Sequence, residues 1–437
     1  MNNQYKSQEE ILQKLGIKAL NEMQAEAYQT ILTTNDTILL SPTGTGKTLA
    51  FLLPILAQLD PNLEQTQVMI LVPSRELAIQ IEQVIRDMGT GYKTNAVYGG
   101  RSASKDRMEL KHPPIILVGT PGRVADHLRR STIGTQDIKF LVLDEFDKSL
   151  EVGFEKEMME IVAELRNIEK KVLTSATQKV AVPDFVGLKQ PTKLDFSGSV
   201  ELQLKLRSII SPDKDKLDTL EQLLSHIGGG NGIIFCNLKD TISIVSDFLD
   251  EKYISHACFY GGMEQQDRER ALIKFRNGSS PLLIATDLAA RGIDVPEMDF
   301  IIHFELPFKE EEFTHRNGRT ARMNQNGAAY ILRVKDAYSP AFLNGIEEEE
   351  LVLGDPFPSS KWSTLFISGG RKDKISKGDI AGLFFKQGQL EKDELGTIEL
   401  KQDCAFVAVP KAKARELIQT LNNSRLKSKK VRISWLE

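Results

Sequence analysis

Short runs of apolar and β-branched residues recur through the first part of the chain at Thr37–Leu40, Val68–Val72, Ile115–Val118, Phe140–Leu143 and Lys171–Thr174, with stretches of mixed polarity between them. Continuous apolar strands joined by helical crossovers predict a parallel sheet covered on both faces, whose ligands bind at the carboxyl ends of the strands. The polar stretch Asp195-Phe196-Ser197-Gly198-Ser199 breaks this rhythm. A second series follows at Gly232–Cys236, Ser255–Tyr260, Pro281–Ala285, Phe300–His303 and Ala328–Leu332, so two similar α/β domains are expected. It closes on the acidic run Glu347–Glu350 and on Gly354-Asp355-Pro356-Phe357-Pro358, where two prolines favour a semi-extended linker. Beyond it, Thr364–Ser368, Gly378–Lys386, Gly396–Leu400, Ala405–Val409, Ala412–Asn422 and Lys430–Trp435 read as β-α-β-β-α-β, an order shared by RNA-recognition-type and other ferredoxin-like domains.

Composition adds exclusions. The 437 residues, 41% hydrophobic and 27% charged, suit roughly two to four ordinary globular domains. The N-terminal segment lacks an apolar core of signal-peptide length and no run of about 18 apolar residues occurs, so a cytoplasmic protein without membrane contact is expected. Cys236, Cys258 and Cys404 show no CxxC spacing and predict neither a zinc site nor a disulfide framework. The net charge of −4 conceals a split: residues 362–437 hold 15 Lys and Arg against 9 Asp and Glu, while the preceding residues hold 41 against 51. A locally basic module beside an acidic body fits polyanion binding, although a solvated surface has the same composition.

Chemistry concentrates in two segments. Ser41-Pro42-Thr43-Gly44-Thr45-Gly46-Lys47-Thr48 lies between a predicted strand and a predicted helix. Its glycines let backbone N–H groups form an anion nest, Lys47 can reach β- and γ-phosphates, and the Thr48 hydroxyl can ligate Mg²⁺. Roughly 100 residues later, Asp144-Glu145-Phe146-Asp147 puts carboxylates at the end of an apolar strand. In phosphate-loop NTPases a strand-end Asp holds Mg²⁺, often through water, and a neighbouring Glu polarises the attacking water; Asp144 and Glu145 fit those roles.

From about residue 15 to residue 335 the chain resembles the superfamily 2 DEAD-box RNA helicases, motif after motif and in order. The resemblance is carried by the segments above and by Pro73-Ser74-Arg75-Glu76-Leu77-Ala78, Gly99-Gly100, Thr120-Pro121-Gly122-Arg123, Ser175-Ala176-Thr177, Ile234-Phe235-Cys236-Asn237, Gln265-Gln266-Asp267-Arg268, Ala285-Thr286-Asp287 through Arg291-Gly292-Ile293-Asp294, and His315-Arg316-Asn317-Gly318-Arg319-Thr320-Ala321-Arg322. It implies two RecA-like domains with ATP and Mg²⁺ held by Gln24, Ser41, Thr43, Gly44, Thr45, Gly46, Lys47, Thr48, Gly292 and Asp294. It casts Arg319 and Arg322 as arginine fingers, an effect worth about 10³–10⁵ in rate in related phosphoryl transfers. It places Arg75, Gly100, Thr120, Arg123, Gln265, Arg268 and Thr286 on an RNA backbone, and makes Ser175 and Thr177 the element coupling nucleotide state to unwinding. The lesser alternative for Arg123 is that it caps a helix or pairs with an acid.

The chain departs from that pattern at Phe146, where the family carries Ala, at Ala321, where it usually carries Gly, and around Gln24, where Ile17 and Leu20-Asn21 replace an aromatic and a Pro-Thr pair. Residues 362–437 resemble the RNA-binding domain of DbpA-type helicases, notably at Leu365–Lys374 and Lys377–Leu383. That likeness implies a tether to structured ribosomal RNA or ribosomal precursor particles. Phe366 and Phe406 are available for stacking, Cys404 and Val409 stand where the consensus has aromatics, and recognition is expected to lean on Arg371, Lys372, Lys374 and Lys377 with the edge cations Lys427, Lys429, Lys430 and Arg432.

The expected architecture is α/β: RecA-like parallel-sheet phosphate-loop domains at residues 1–197 and 198–352, a linker at 353–361, and a small α+β RRM-like domain at 362–437. The expected activity is that of a monomeric ATP-dependent RNA helicase that unwinds or remodels structured RNA locally during ribosome assembly. An RNA-stimulated ATPase that clamps RNA without separating strands is the alternative.

Overall fold

A computed structural model describes residues 6–42, 44–100, 102–151, 153–176, 181–198, 204–287, 298–320 and 327–436. They fall into two compact units that divide between residues 202 and 203.

The first unit is built on a parallel sheet in the order β3-β4-β2-β5-β6-β1-β7, with β1 Asp36–Leu40, β2 Val68–Leu71, β3 Thr94–Val97, β4 Ile116–Gly119, β5 Phe140–Leu143, β6 Lys170–Ser175 and β7 Thr192–Asp195. The continuous apolar runs arise because both faces are covered. Along β2, Val68 and Ile70 enter one core with the helices Glu22–Thr33, Lys47–Leu56 and Arg75–Met88, while Met69 and Leu71 enter a second core with Pro121–Arg129 and Glu155–Glu164. Each such side chain contributes about 1.5–3 kcal/mol by leaving water. The sequence pattern did not reveal β3 and β7, which are the two edges of the sheet. An edge strand tolerates Thr, Asn, Lys and Asp because one flank stays solvated. Phe196, in the stretch that interrupts the strand rhythm, packs against the first core.

The second unit contains a parallel sheet in the order β10-β11-β9-β12-β13-β8, formed by β8 Leu204–Ser211, β9 Gly232–Phe235, β10 His256–Phe259, β11 Leu282–Ala285, β12 Phe300–His303 and β13 Gly327–Val334. β8, another edge, was also hidden in the sequence. The acidic run is not a free tail. Glu348 bridges Ser208, and Arg207 pairs with Glu347 at 3.0 Å and with Glu349 at 3.1 Å. The segment expected as a semi-extended linker is likewise fastened: Phe357 is buried edge-on to Phe300, with ring centroids 6.4 Å apart.

The same unit carries a four-stranded antiparallel sheet, β15-β16-β14-β19, from β14 Trp362–Ile367, β15 Ile398–Leu400, β16 Ala405–Pro410 and β19 Ile433–Trp435, beside the two-stranded hairpin β17 Arg425–Leu426 and β18 Lys429–Lys430. Leu365, Ile367, Val407 and Val409 point to one face and pack on the helices Lys377–Lys386 and Ala414–Leu421. Ser376 starts the first helix with a reciprocal cap to Asp379. On the opposite face, Phe366 and Phe406 lie 5.8 Å apart and cluster with Leu436 and with Ile273 from helix Gln265–Arg276. The aromatic pair expected to be available for stacking is therefore covered. Beside it, Arg276 makes a two-pronged ion pair with Glu399 at 2.7 and 2.8 Å, and the Ser279 and Thr364 hydroxyls meet at 2.7 Å. Among the described residues, no helix is long and apolar enough to cross a membrane.

Candidate nucleotide and RNA sites

The phosphate loop connects β1 to helix Lys47–Leu56, and the loop geometry is left-handed at Gly44 (φ 85°) and Gly46 (φ 88°). The torsion at Gly46 favours glycine, and a Cβ there would lie 2.4 Å from Gln24 Nε2 and push that amide aside. Lys47 is 8% exposed, and its ammonium donates to the carbonyls of Ser41 at 2.6 Å and Pro42 at 2.8 Å. The hydroxyls of Ser41 and Thr45 meet at 2.8 Å. Thr43 lies outside the described residues, while Thr48 stands half-buried in the first helical turn.

Asn21 and Gln24 brace this loop from helix Glu22–Thr33. They cap that helix reciprocally, Gln24 N–H to Asn21 at 2.8 Å and Asn21 N–H to Gln24 at 3.1 Å. Their side-chain amides then donate to Thr45 O at 3.1 Å and Gly46 O at 3.3 Å. Asn21, in the sequence a mere departure from the family pattern, thus does the work of a cap and a strut. Its signal was legible: Asn followed three residues later by Gln ahead of an apolar run.

Asp144 sits at the end of β5, 3% exposed. Burial pushes its carboxyl above the usual range, while the Thr174 hydroxyl, the Lys47 ammonium and the Glu145 N–H pull it back. Thr174, on β6, donates to the Asp144 carboxylate and accepts the Glu145 N–H at 3.2 Å. Sequence reasoning passed over this threonine because its partners stand about thirty residues away on another strand. Glu145 itself adopts φ 49°, a left-handed conformation rare outside glycine and characteristic of strained functional turns. Phe146 is 2% exposed within the second core of this unit, so the Ala-to-Phe departure is a packing feature and leaves the two carboxylates in place. Ser175 is buried, and its carbonyl accepts the Ser41 N–H at 3.0 Å, joining the Ser-Ala-Thr segment to the phosphate loop. Thr177 lies outside the described residues. A desolvated carboxylate under the pull of Lys47, with a helix N-terminus on the same sheet edge, suits a divalent cation carrying phosphates.

Elsewhere in the first unit, Arg75 begins a helix capped by Ser74, and its guanidinium lies over Gly99-Gly100. A Cβ on Gly100, which has φ 84°, would come within 2.4 Å of Arg75 Nη1. Thr120 precedes helix Pro121–Arg129. Arg123 in that helix is held by the buried Asp106 at 2.8 Å, which also meets His127 at 3.3 Å, so pairing with an acid is observed for this arginine.

In the second unit Gln265 opens helix Gln265–Arg276, the Arg268 guanidinium stacks 4.8 Å from the Phe259 ring, and Thr286 N–H donates to Phe259 O at 3.4 Å. Among the described residues, the largest fully buried side chain belongs to a residue given no individual role above. Arg316, 1% exposed, forms a forked pair with Asp287 (2.7 Å at Nε), donates to Glu305 O at 2.6 Å and Asn237 Oδ1 at 2.7 Å, and lies 4.9 Å from the Phe235 ring. Burial, then Arg316, pushes the neighbouring His303 imidazole down to about 3, so it is neutral and donates to Asn317 at 2.9 Å. Arg319, 6% exposed, follows directly, its N–H on the Arg316 carbonyl at 3.1 Å. Arg322, Gly292 and Asp294 lie outside the described residues.

On the C-terminal domain, Arg371, Lys372 and Lys374 occupy a 3₁₀ turn and its end, and form no ion pair among the described residues. The edge cations divide: Lys427 is bound to Asp379 at 2.9 Å and Lys429 to Asp373 at 2.8 Å, while Lys430 and Arg432 are exposed.

Two α/β sheets bearing these motifs at their strand ends define a helicase motor, and comparison with known proteins agrees. Residues 21–185 match the DEAD/DEAH box helicase family, 215–324 the helicase conserved C-terminal domain and 364–434 the DbpA RNA binding domain. Among solved structures, Saccharomyces cerevisiae Dbp5 bound to RNA and ADP BeF3 is similar with a TM-score of 0.66 at 27% identity, covering 76% of this chain and 88% of that one. The ATP-dependent RNA helicase DbpA of Escherichia coli is 32% identical over 98% of this chain and 96% of its own length, and that of Bacillus subtilis 30% identical over 97% and 96%. The chain belongs to the DbpA family of ATP-dependent RNA helicases: it is a nucleotide- and RNA-binding DEAD-box enzyme.

Proposed function

We propose that this enzyme couples hydrolysis of Mg²⁺·ATP to local unwinding or remodelling of structured ribosomal RNA in assembling ribosomal particles, working as a monomer in the cytoplasm. The observation that carries the reading is the double use of helix Gln265–Arg276: its first turn bears Gln265 and Arg268, and its last turn grips the RNA-binding domain. RNA held by that domain is thereby kept next to the expected backbone contacts of the motor.

Lys47, Thr48 and Asp144 would hold the phosphates and their metal, with Gln24, Ser41, Thr43, Gly44, Thr45, Gly46, Gly292 and Asp294 completing the nucleotide contacts. The bound cation supplies charge neutralisation on the phosphate oxygens. Glu145, fixed by Thr174, orients the attacking water and takes its proton. Arg319 and Arg322 neutralise charge on the transferred group. Ser175 and Thr177 relay nucleotide state, since Ser175 directly follows Thr174 on β6. Arg75, Gly100, Thr120, Arg123, Gln265, Arg268 and Thr286 hold the RNA backbone without reading sequence, and Arg371, Lys372 and Lys374 anchor the ribosomal element.

The test is strand displacement on a short duplex joined to a ribosomal RNA hairpin, beside the same duplex joined to an unrelated hairpin. Faster ATP-dependent release from the first is expected. Equal rates on both would remove the ribosomal assignment, and ATP turnover without strand release would remove the unwinding step.

A further inference from the structure

Where the second motor sheet meets the C-terminal domain, within the second unit, lies a cavity of about 480 Å³, within the size range of small-molecule sites. Its lining combines an aromatic wall, Trp362, with polar side chains that lack protein partners. Asn277 is 4% exposed, and neither the oxygen nor the nitrogen of its carboxamide is hydrogen-bonded. Both atoms are closed off from the cavity by surrounding protein, so this carboxamide offers a ligand no contact. The side chains of Asn231, Thr397 and Lys361 on the same wall, and the Trp362 indole N–H, are also engaged by no protein group among the described residues. Gly396 lies against the indole, and a Cβ there would come within 3.1 Å of the ring, so no side chain at that position crowds the half-buried indole.

Charge narrows the ligand. Arg276 at the rim is committed to Glu399, which leaves Lys361 as the uncompensated charge on the described wall. A half-buried indole, a carboxamide and a hydroxyl that both donate and accept, and a single cation match one nucleotide: a π-face, a base edge with mixed donors and acceptors, and one phosphate. We propose that this cavity is a binding subsite for a single unpaired nucleotide, its base against Trp362, its edge toward Asn231 and Thr397, and its phosphate on Lys361. The nucleotide comes from an RNA strand or from a free mononucleotide. The RNA source rests on the proposed function above, and places an extruded residue between the anchoring domain and helix Gln265–Arg276.

The chain contains two tryptophans, and Trp435 is 45% exposed, so W435F leaves Trp362 as the sole emitter. Full-length W435F is titrated with uridine 5′-monophosphate and, separately, with a single-stranded RNA hexamer, following tryptophan emission. Saturable quenching is expected, with affinity lowered about tenfold when Asn231→Ala and Lys361→Ala are added. Quenching by both ligands assigns the subsite to the nucleotide unit, and quenching by the hexamer alone assigns it to an RNA residue. The reciprocal W362F protein, emitting from Trp435, should show neither response. Constant emission with both ligands, or quenching that survives the double substitution, overturns the proposal. RNA-stimulated phosphate release is measured on the same W435F sample: stimulation with a silent Trp362 removes the subsite and leaves the helicase reading standing, whereas absent stimulation counts against that reading.

Discussion

Each motor sheet buries an ionic side chain where its central strands end, and the two are satisfied to opposite degrees. Arg316, on the helix Glu310–Asn317 beside the second sheet, is surrounded by a forked carboxylate, a backbone carbonyl, an amide oxygen and an aromatic face. Asp144 in the first is buried as deeply but is only partly compensated, and its proton affinity is raised accordingly. A fully partnered buried ion welds strands together; a partly partnered one keeps electrostatic demand in reserve for a cation. Proteins place such unmet demand at chemical sites and complete satisfaction at structural joints.

Replacing Arg316 by Ala should give the largest effect. Three strand ends lose their common donor and Asp287 loses its counter-charge, so urea unfolding should show the second sheet destabilised by about 3–5 kcal/mol. If Arg316→Ala leaves stability intact while abolishing hydrolysis, the contrast between joint and reserve is broken. Lys47→Ala is the converse experiment: phosphate release should fall by about 10²–10³-fold, with a small change in the unfolding midpoint. Thr174→Val keeps the shape of the side chain but strands the Glu145 N–H and removes a donor to Asp144. It should cost about 1–3 kcal/mol and lower kcat, linking the two behaviours in one residue. Exposed charges supply the lower limit. Alanine at Arg371, Lys372 and Lys374 together should leave unfolding unchanged while reducing the slope of log affinity against log salt by up to about 0.7–0.9 per lost phosphate contact in an RNA-binding titration.

Much of this was legible in the sequence, and the boundary has a physical cause. Central strands such as β5 are apolar on both faces and announce themselves, whereas β3, β7 and β8 lie at sheet edges and carry polar residues that hide them. The phosphate loop and Asp144-Glu145 are local motifs, so their chemistry could be read from spacing. Arg316 and Thr174 act through partners 29 and 30 residues away that follow the ends of other strands, and only the folded sheet brings them together. Phe366 and Phe406 looked like a stacking platform because the sequence records aromatic character but not what covers it; Ile273, far earlier in the chain, supplies the cover.

That covering has a consequence for modularity. Because the aromatic face of the C-terminal domain is completed by Ile273 and locked by Arg276, the appendage is half of a fitted joint, not an interchangeable cassette. Grafting residues 362–437 onto a different ATPase without transplanting that helical seat would lay bare Phe366 and Phe406, turning a guidance device into a sticky, swivelling passenger.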